Sequence, residues 1–201
     1  MKVVIVKYDA GNIYSVVHAL RRIGVEPLLT DNEEDIRSAD RIVFPGQGEA
    51  ATTMNSLKSS GLDRLIPSLK QPVLGICIGM QLMCSHSEEG DTDCLGIFEG
   101  SVVKRFVPLT KEDKIPHIGW NTANMADNPL FKGISNNDFF YFIHSFYASV
   151  HDAYTIARTD YCGTAYSAAM NKDNFFATQF HPEKSGKNGE TLLRNFLELD
   201  F

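Results

Sequence analysis

The sequence predicts an α/β fold with a doubly wound mixed sheet, and three features of the chain support this prediction. Short β-branched runs alternate with amphipathic segments in the first half, a pattern typical of parallel strands joined by helical crossovers. From Gly100 onward the chain changes to strand-like runs separated by turns, which favours a mixed or antiparallel portion beside the parallel sheet. A length of 201 residues suits one domain, expected to span residues 1–201.

The first half contains the alternating elements. A strand is predicted over residues 2–7, followed by a helix over 13–23 in which apolar residues recur at helical spacing. Gly24 is placed to end that helix. The remaining elements predicted in this half are a strand at 26–30, a helix at 33–38, and strands at 41–44 and 72–76.

The second half contains several strands and one final helix. Residues 189–199 are predicted to form an amphipathic helix, because four apolar residues share one side and polar residues fill the other. Those apolar residues are Leu192, Leu193, Phe196 and Leu197. The strand-like runs are 102–106, 139–150, 154–158, 165–169 and 175–180.

Composition excludes several classes of protein. The chain is 43% hydrophobic and 22% charged, and its 25 acidic against 19 basic residues leave a net charge of −6. This balance argues against a protein that binds nucleic acid or an anionic membrane. No apolar run approaches 18 residues and no secretory signal is apparent, so we expect a cytoplasmic protein. The four cysteines form no C-x-x-C pair, and we expect reduced thiols, no metal and no cofactor.

The strongest chemical signal is the segment 72–81, PVLGICIGMQ. An apolar strand runs through Cys77 into a helix-compatible stretch, the pattern of a nucleophile elbow with cysteine at its centre. Such a strained turn needs small neighbours, which Gly75 and Gly79 supply. The positive end of the helix would favour the reactive thiolate, and the N–H of Ile78 would point at the oxygen of a carbonyl under attack. A buried structural cysteine at a tight junction is the alternative.

A thiol nucleophile needs a base, and His181 is the histidine that fits. It ends a strand-like run and is followed by Pro182 and Glu183. Residues two apart in an extended chain project to the same face, so Glu183 can reach the imidazole and stabilise its charged form. Cys77, His181 and Glu183 then form a catalytic triad. A turn histidine beside an exposed glutamate is the alternative.

A glycine-rich turn follows the strand at 41–44. In the sequence RIVFPGQG, Gly46 and Gly48 allow close approach of the backbone, and an N–H of this loop could supply a second oxyanion donor. The carboxyl ends of neighbouring strands meet at one crevice in a doubly wound sheet. We therefore expect Gly48, Cys77 and His181 to converge there.

With PGQG, GICIGMQ and HPEKS in that order, the chain resembles the class I glutamine amidotransferases, or triad glutaminases. Four further segments, DAGNIYSV, IPHIGWN, NPLFKGI and YFIHSFYA, make it most similar to the glutaminase subunits of imidazole glycerol phosphate synthase in histidine biosynthesis. The resemblance spans nearly the whole chain. It implies the flavodoxin-like fold of the class I glutamine amidotransferases.

The resemblance implies a glutaminase reaction. Cys77 would attack the side-chain amide of L-glutamine after His181 takes its proton, ammonia would leave, and water would free glutamate from the thioester. Gly48 and Ile78 match the oxyanion-hole positions of the family. The residues that match its glutamine-binding region are Gln81, Glu89, Ser145 and Phe146.

The resemblance also implies a heterodimer with a cyclase subunit of (β/α)8 barrel type, which would receive the ammonia. Residues in motifs that face this partner in the family are Asn12, Ser15, Trp120, Tyr141 and Lys184. Solvent-exposed or packing roles are their alternative. The chain departs from the family pattern at Gln47, Glu49, Ala50 and Ile78, so the shape of the loop near Gly48 does not follow from the resemblance.

Three other functions stay open at this point. A paralogous glutaminase could feed a different synthase, for example in amino-sugar or surface-polysaccharide synthesis, with the same triad. A cysteine hydrolase of related fold could act on peptides or esters, although the HPE motif and Gln81 favour glutamine. A non-enzymatic regulatory module with a vestigial site is the third, and the intact Cys77, His181 and Glu183 argue against it.

Overall fold

A computed structural model describes residues 1–8 and 13–200 of the protein. Six α-helices occur within these ranges, together with short 3-10 turns at 129–131 and 182–184. The helices are α1 Ile13–Arg22, α2 Glu33–Arg37, α3 Ala50–Ser60, α4 Leu62–Ser68, α5 Ile78–Met83 and α6 Gly186–Leu197.

The same ranges contain fourteen strands. They are β1 Val3–Val6, β2 Leu28–Thr30, β3 Arg41–Phe44, β4 Val73–Ile76, β5 Cys84–Ser87, β6 Thr92–Asp93, β7 Phe98–Arg105, β8 His117–Thr122, β9 Asn124–Met125, β10 Phe139–His144, β11 Phe146–Ala148, β12 Thr155–Tyr161, β13 Thr164–Lys172 and β14 Phe175–Thr178.

An eight-stranded mixed sheet in the order β2-β1-β3-β4-β14-β13-β12-β9 is the centre of the described structure. The strands from β2 to β14 are parallel to their neighbours. The strands from β14 to β9 pair antiparallel. The carboxyl ends of β4 and β14 therefore lie side by side, which brings the segments that follow Ile76 and Thr178 together.

Each face of this sheet packs against helices. Side chains alternate along β1, so Val3 and Ile5 join one apolar cluster while Val4 and Val6 join the other. The first cluster includes apolar residues of α1 and α6, and the second includes those of α3, α4 and α5. Burying one such aliphatic side chain contributes roughly 1.5–3 kcal/mol, so the two clusters stabilise the sheet from both sides.

Two smaller sheets lie beyond the main one. Strands β10 and β8 form an antiparallel ribbon, and a four-stranded sheet has the order β11-β7-β5-β6. The prediction of one continuous strand over 139–150 was wrong. The chain leaves the ribbon at Ser145 and pairs with β7 from Phe146 onward. Aromatic residues lie on both sides of His144 and Ser145, which is why the sequence pattern indicated one strand.

Other differences concern the ends of elements, and helices and strands that the sequence analysis did not place, among them β5, β6, β8 and β9. Helix α6 begins at Gly186 rather than 189 and ends at Leu197. Helices α3 and α4 connect β3 to β4, where the sequence analysis placed no element. Gly24 has φ +88° after α1 and is placed as predicted. No helix within the described ranges is long and apolar enough to cross a membrane.

Candidate active site

Cys77 occupies a strained turn between β4 and α5. Its backbone angles are φ +54° and ψ −107°, a conformation that costs free energy for any residue with a side chain. The flanking glycines make room for it. A Cβ atom at Gly79 would overlap the carbonyl oxygen of Phe44, and one at Gly75 would crowd Gly79 and the sulfur of Met83. The turn therefore has the geometry of a nucleophile elbow.

His181 and Glu183 form a buried pair after β14. Nδ1 of the imidazole lies 2.7 Å from Oε1 of the carboxylate, and both side chains are almost fully buried. The backbone N–H of His181 donates to the carbonyl of Tyr141, which ties this segment to β10. His181 Nε2 is buried and has no hydrogen-bond partner among the described residues, so this nitrogen is available to a reacting group.

The electrostatic surroundings of His181 favour its charged form. Burial opposes the charge, but Cys77 and Glu183 outweigh burial and raise the pKa of His181 from 6.5 to about 10. An imidazolium beside sulfur is the partner that a thiolate needs. The three side chains are thus arranged for a thiolate–imidazolium pair, with the carboxylate stabilising the cation.

A cavity of about 300 Å³ opens at the elbow. Seven residues singled out in the sequence line it, and Gln47, Ile143 and His144 complete its wall. The seven are Gly48, Cys77, Ile78, Gln81, Glu89, Ser145 and Phe146. His181 and Glu183 are not among the residues that line this cavity. The structure therefore gathers the predicted nucleophile, oxyanion and glutamine-binding positions around one space.

Gly48 and Ile78 face the cavity from two loops. Gly48 has φ +154°, a value suited to glycine, and it lies just before α3. Ile78 is the first residue of α5, where backbone N–H groups lack an acceptor within the helix. The Glu49 side chain accepts a hydrogen bond from the N–H of Thr52, and Glu89 accepts one from Ala50. The loop is thus held to the start of α3 and to residue 89.

The predicted glutamine-binding residues differ in whether their polar groups are already hydrogen-bonded within the protein. Glu89 reaches the cavity with a pKa raised mainly by burial. Gln81 is buried, and its amide nitrogen donates to the carbonyl of Phe146 and to Oε1 of Gln179, so it is already engaged within the protein. Ser145 lies at the break between β10 and β11.

The predicted partner-facing residues lie on one ribbon and beside it. Trp120 is 55% exposed and contacts its cross-strand neighbour Tyr141 edge to face, with ring centroids 5.8 Å apart. Lys184 belongs to the turn after His181 and makes no salt bridge with another described residue. Ser15 is half-buried on α1, which packs against that turn. Asn12 lies outside the described residues.

Comparison with known proteins decides the family. The family model for glutamine amidotransferase class-I matches residues 4–199. The chain belongs to the class-I glutamine amidotransferase family. It is therefore an enzyme of the glutaminase type, as the sequence predicted.

Individual relatives agree with this assignment. The amidotransferase is 61% identical over 199 residues to the imidazole glycerol phosphate synthase subunit HisH of Bacteroides thetaiotaomicron, covering 99% of this chain and 100% of that protein. It is 47% identical over 204 residues to the protein of the same name from Idiomarina loihiensis, covering 99% and 98%. A crystal structure of a glutamine amidotransferase superposes with a TM-score of 0.75 at 18% identity, covering 98% of each chain. The α/β fold prediction is confirmed.

Sequence reasoning missed a hydrogen-bonded group at the wall of the amidotransferase cavity. His144 Nδ1 lies 2.7 Å from the carbonyl oxygen of Phe146, which can only accept, so Nδ1 carries the proton. His144 Nε2 then accepts from the Tyr166 hydroxyl at 3.3 Å, and that hydroxyl accepts from Nδ1 of His117 at 3.0 Å. His144, supported by Tyr166 and His117, thus fixes the backbone of Phe146 through its carbonyl oxygen. His117, His144 and Tyr166 are far apart in the sequence, so no local sequence pattern indicates that they are in contact.

These buried histidines should make stability depend on pH. Burial is the main cause that lowers the pKa of His144 to about 3, whereas an unfolded histidine titrates near 6.5. Between these values only the unfolded chain binds the proton, so stability is full above pH 6.5 and is lost as the pH falls. We expect His144 to lower the free energy of unfolding by at most about 1.4 kcal/mol for each pH unit of acidification. Urea unfolding between pH 7 and 5 measures this slope.

The variant His144→Gln should remove that part of the slope while keeping a donor for Phe146. The matched control is His18→Gln, because His18 is exposed on α1. It should leave the slope unchanged. Equal slopes in His144→Gln and the parent protein would show that this imidazole is not a buried neutral group.

Proposed function

We propose that this chain is the glutaminase subunit of an imidazole glycerol phosphate synthase, hydrolysing glutamine and supplying ammonia to a cyclase subunit in histidine biosynthesis. Full-length identity to HisH subunits of that synthase supports the proposal, and the buried His181–Glu183 pair beside Cys77 carries it. Residues 1–201 act as a single glutaminase domain. The cytoplasmic location expected from the sequence stays a prediction.

The triad divides the chemistry among its members. Cys77 is the nucleophile, and His181 takes the thiol proton and later delivers it to the leaving nitrogen. Glu183 orients the imidazole through Nδ1 and stabilises its positive charge. Sulfur forms a bond with the amide carbon, ammonia leaves, and water activated by His181 hydrolyses the glutamyl thioester.

The cavity walls complete the site. Backbone N–H groups of Gly48 and Ile78 are proposed to stabilise the oxyanion, where losing one donor typically costs about 10²–10³ in rate. Glu89 is suited to the α-ammonium group of glutamine, because it is the carboxylate in the cavity lining. Ser145 and Phe146 bound the same space and are proposed to contact the substrate backbone groups.

The outer face of the β8–β10 ribbon is the proposed contact with the cyclase subunit, for which the family resemblance implies a (β/α)8 barrel. Ile118, Trp120 and Phe139 are each more than half exposed there, and Tyr141 lies between them. Exposed apolar groups that adjoin one another mark interaction surfaces, and aromatic residues are enriched at such contacts. Ser15, Lys184 and Asn12 are assigned to this interface from the resemblance.

Glutamate release with and without the cyclase subunit and its nucleotide ligand tests the proposed function. We expect glutamine hydrolysis to be coupled to cyclase turnover, with equal amounts of glutamate and imidazole glycerol phosphate formed. A synthase of amino-sugar or surface-polysaccharide type serves as the control partner. Stimulation by that control and not by the cyclase would reassign the chain to a paralogous glutaminase.

Trp120→Ala should weaken binding to the cyclase subunit. Truncating a hot-spot residue of an interface costs about 2 kcal/mol or more, and hot spots are enriched in tryptophan, so we expect the Kd to rise about 30-fold. Lys184→Ala should weaken binding about tenfold if its ammonium pairs with an acidic group of the partner. Calorimetric titration measures both, and thermal unfolding checks that the isolated fold is intact.

The control for this prediction is Lys58→Ala, an exposed residue on α3, which packs on the face of the main sheet opposite α1. Its Kd should equal that of the parent protein. An unchanged Kd for Trp120→Ala would remove the ribbon from the interface.

A further inference from the structure

Gln179 is a fully buried side chain that contacts the sulfur of Cys77. Its amide nitrogen Nε2 lies 3.6 Å from Sγ, within hydrogen-bonding distance for sulfur. It lies between the end of β14 and His181, so the two residues reach the elbow from the same segment. The carbonyl oxygen of Ile143 is a further polar contact of the thiol, at 3.9 Å.

Neighbouring groups determine which end of the Gln179 amide faces the sulfur. The carbonyl oxygen of Phe146 can only accept, so the Gln81 amide must present its nitrogen to it, at 2.8 Å. The same nitrogen is 2.9 Å from the Gln179 side chain, which must therefore present its oxygen. That leaves Nε2 of Gln179 as the atom that faces Cys77. Reversing either amide would place two acceptors or two donors against each other.

A neutral donor in this position favours sulfur in its anionic form. Donation to a charged acceptor is roughly twice as strong as donation to a neutral one, so the contact strengthens when the proton leaves Sγ. An amide cannot take that proton, and it therefore does not compete with His181. The Ile143 carbonyl can only accept, and it stabilises the thiol rather than the thiolate.

On the assignment of Cys77 as nucleophile, which belongs to the proposed function, we propose that Gln179 is a further catalytic residue, donating a hydrogen bond to the sulfur, and that Gln81 is the positioning residue that aims it. The donor acts twice in the reaction. It stabilises the thiolate before the sulfur–carbon bond forms, and again when hydrolysis breaks that bond. In the second step the sulfur leaves as a thiolate and regains its proton from His181.

Two substitutions separate the donor from the rest of the side chain. Gln179→Met keeps the approximate shape and removes both polar atoms. Gln179→Glu keeps an acceptor for Gln81 but removes the donor and places a carboxylate near the sulfur. We expect kcat for glutamine hydrolysis to fall about 10- to 100-fold in both, with KM changed less than threefold. Assays use the complete complex with the cyclase subunit.

The rate at which iodoacetamide alkylates Cys77 distinguishes loss of the hydrogen-bond donor from loss of packing. The rate should fall in proportion to kcat in Gln179→Met. Other thiols contribute little, because burial raises the pKa of Cys84 and of Cys162 and raises that of Cys94 to about 12. Peptide mass spectrometry assigns the modified cysteine, and Cys77→Ala defines the background.

The control is Asn174→Asp, which removes a buried amide donor at the opposite end of β14. Asn174 donates to the carbonyl oxygens of Leu69 and Gln71. This variant should lose stability while kcat and Cys77 alkylation stay within twofold of the parent protein. Normal kcat and alkylation in a folded Gln179 variant would overturn the inference.

A measurement on the unmodified Gln179 side chain covers the case in which its variants do not fold. In ¹⁵N-labelled protein, the side-chain amide resonance of Gln179 should shift when Cys77 is replaced by alanine. No shift would overturn the inference. Glutamine hydrolysis that survives Cys77→Ala would instead overturn the proposed function, so the two failures are distinguishable.

Discussion

Cys77→Ala should abolish glutamine hydrolysis, reducing kcat by at least about 10⁴-fold, because no other group at the elbow can form the thioester. The fold should survive, since alanine is smaller than cysteine and tolerates the turn as well. Synthesis by the complex should continue when ammonium salt replaces glutamine. Glutamate release and product formation, measured in parallel, check both parts of the prediction.

The matched control is Cys162→Ala, a thiol on the turn between β12 and β13 and away from the cavity lining. Its glutaminase rate should equal that of the parent protein. Glutamate release by Cys77→Ala at a rate within tenfold of the parent would make the nucleophile assignment wrong.

Glu183→Gln should lower kcat by about 10²–10⁴-fold while leaving the fold intact. The substitution preserves size but removes the charge that lies 2.7 Å from the imidazole, and loss of such a carboxylate leaves the ring in the wrong tautomer. Because Glu183 contributes to the raised pKa of His181, the imidazolium that would accompany the sulfur anion should also become less stable. Slower alkylation of Cys77 checks this consequence.

Stability gives a second readout for this substitution. The pKa of His181 is about 10 in the folded protein and near 6.5 when unfolded, so its stabilising contribution is full below pH 6.5 and is lost as the pH rises toward 10. Glu183→Gln should reduce that loss. The control Glu190→Gln affects a partly exposed ion pair with Arg22 and should leave activity unchanged. A kcat within threefold of the parent would contradict the role of Glu183.

The elbow and the His181–Glu183 pair could be predicted because their geometry is local. Gly75 and Gly79 stand two residues from Cys77, and Glu183 stands two residues from His181, so each pattern is visible in a short window of sequence. Strands β1 to β4 were predicted for the same reason, since apolar β-branched runs are local features; that β14 joins them in parallel was not predicted.

The support behind the site could not be predicted in this way. Gln179 and Gln81 are 98 positions apart in the chain, and only the adjacency of β4 and β14 brings their amides together. The break at Ser145 was missed because aromatic residues dominate the chain on both sides of it. Asn12 remains a prediction, since it lies outside the described residues.

The β8–β10 ribbon has one further consequence. Its outer face presents Trp120 to the surroundings, while the β10 backbone accepts the N–H of His181 through Tyr141 and lies against the Cys77 sulfur through Ile143. One strand, β10, therefore has side chains on the exposed face and backbone groups in contact with both His181 and Cys77. A displacement of β10 by contacts on that face would therefore move the backbone groups that touch Cys77 and His181 together, without a change in the main sheet.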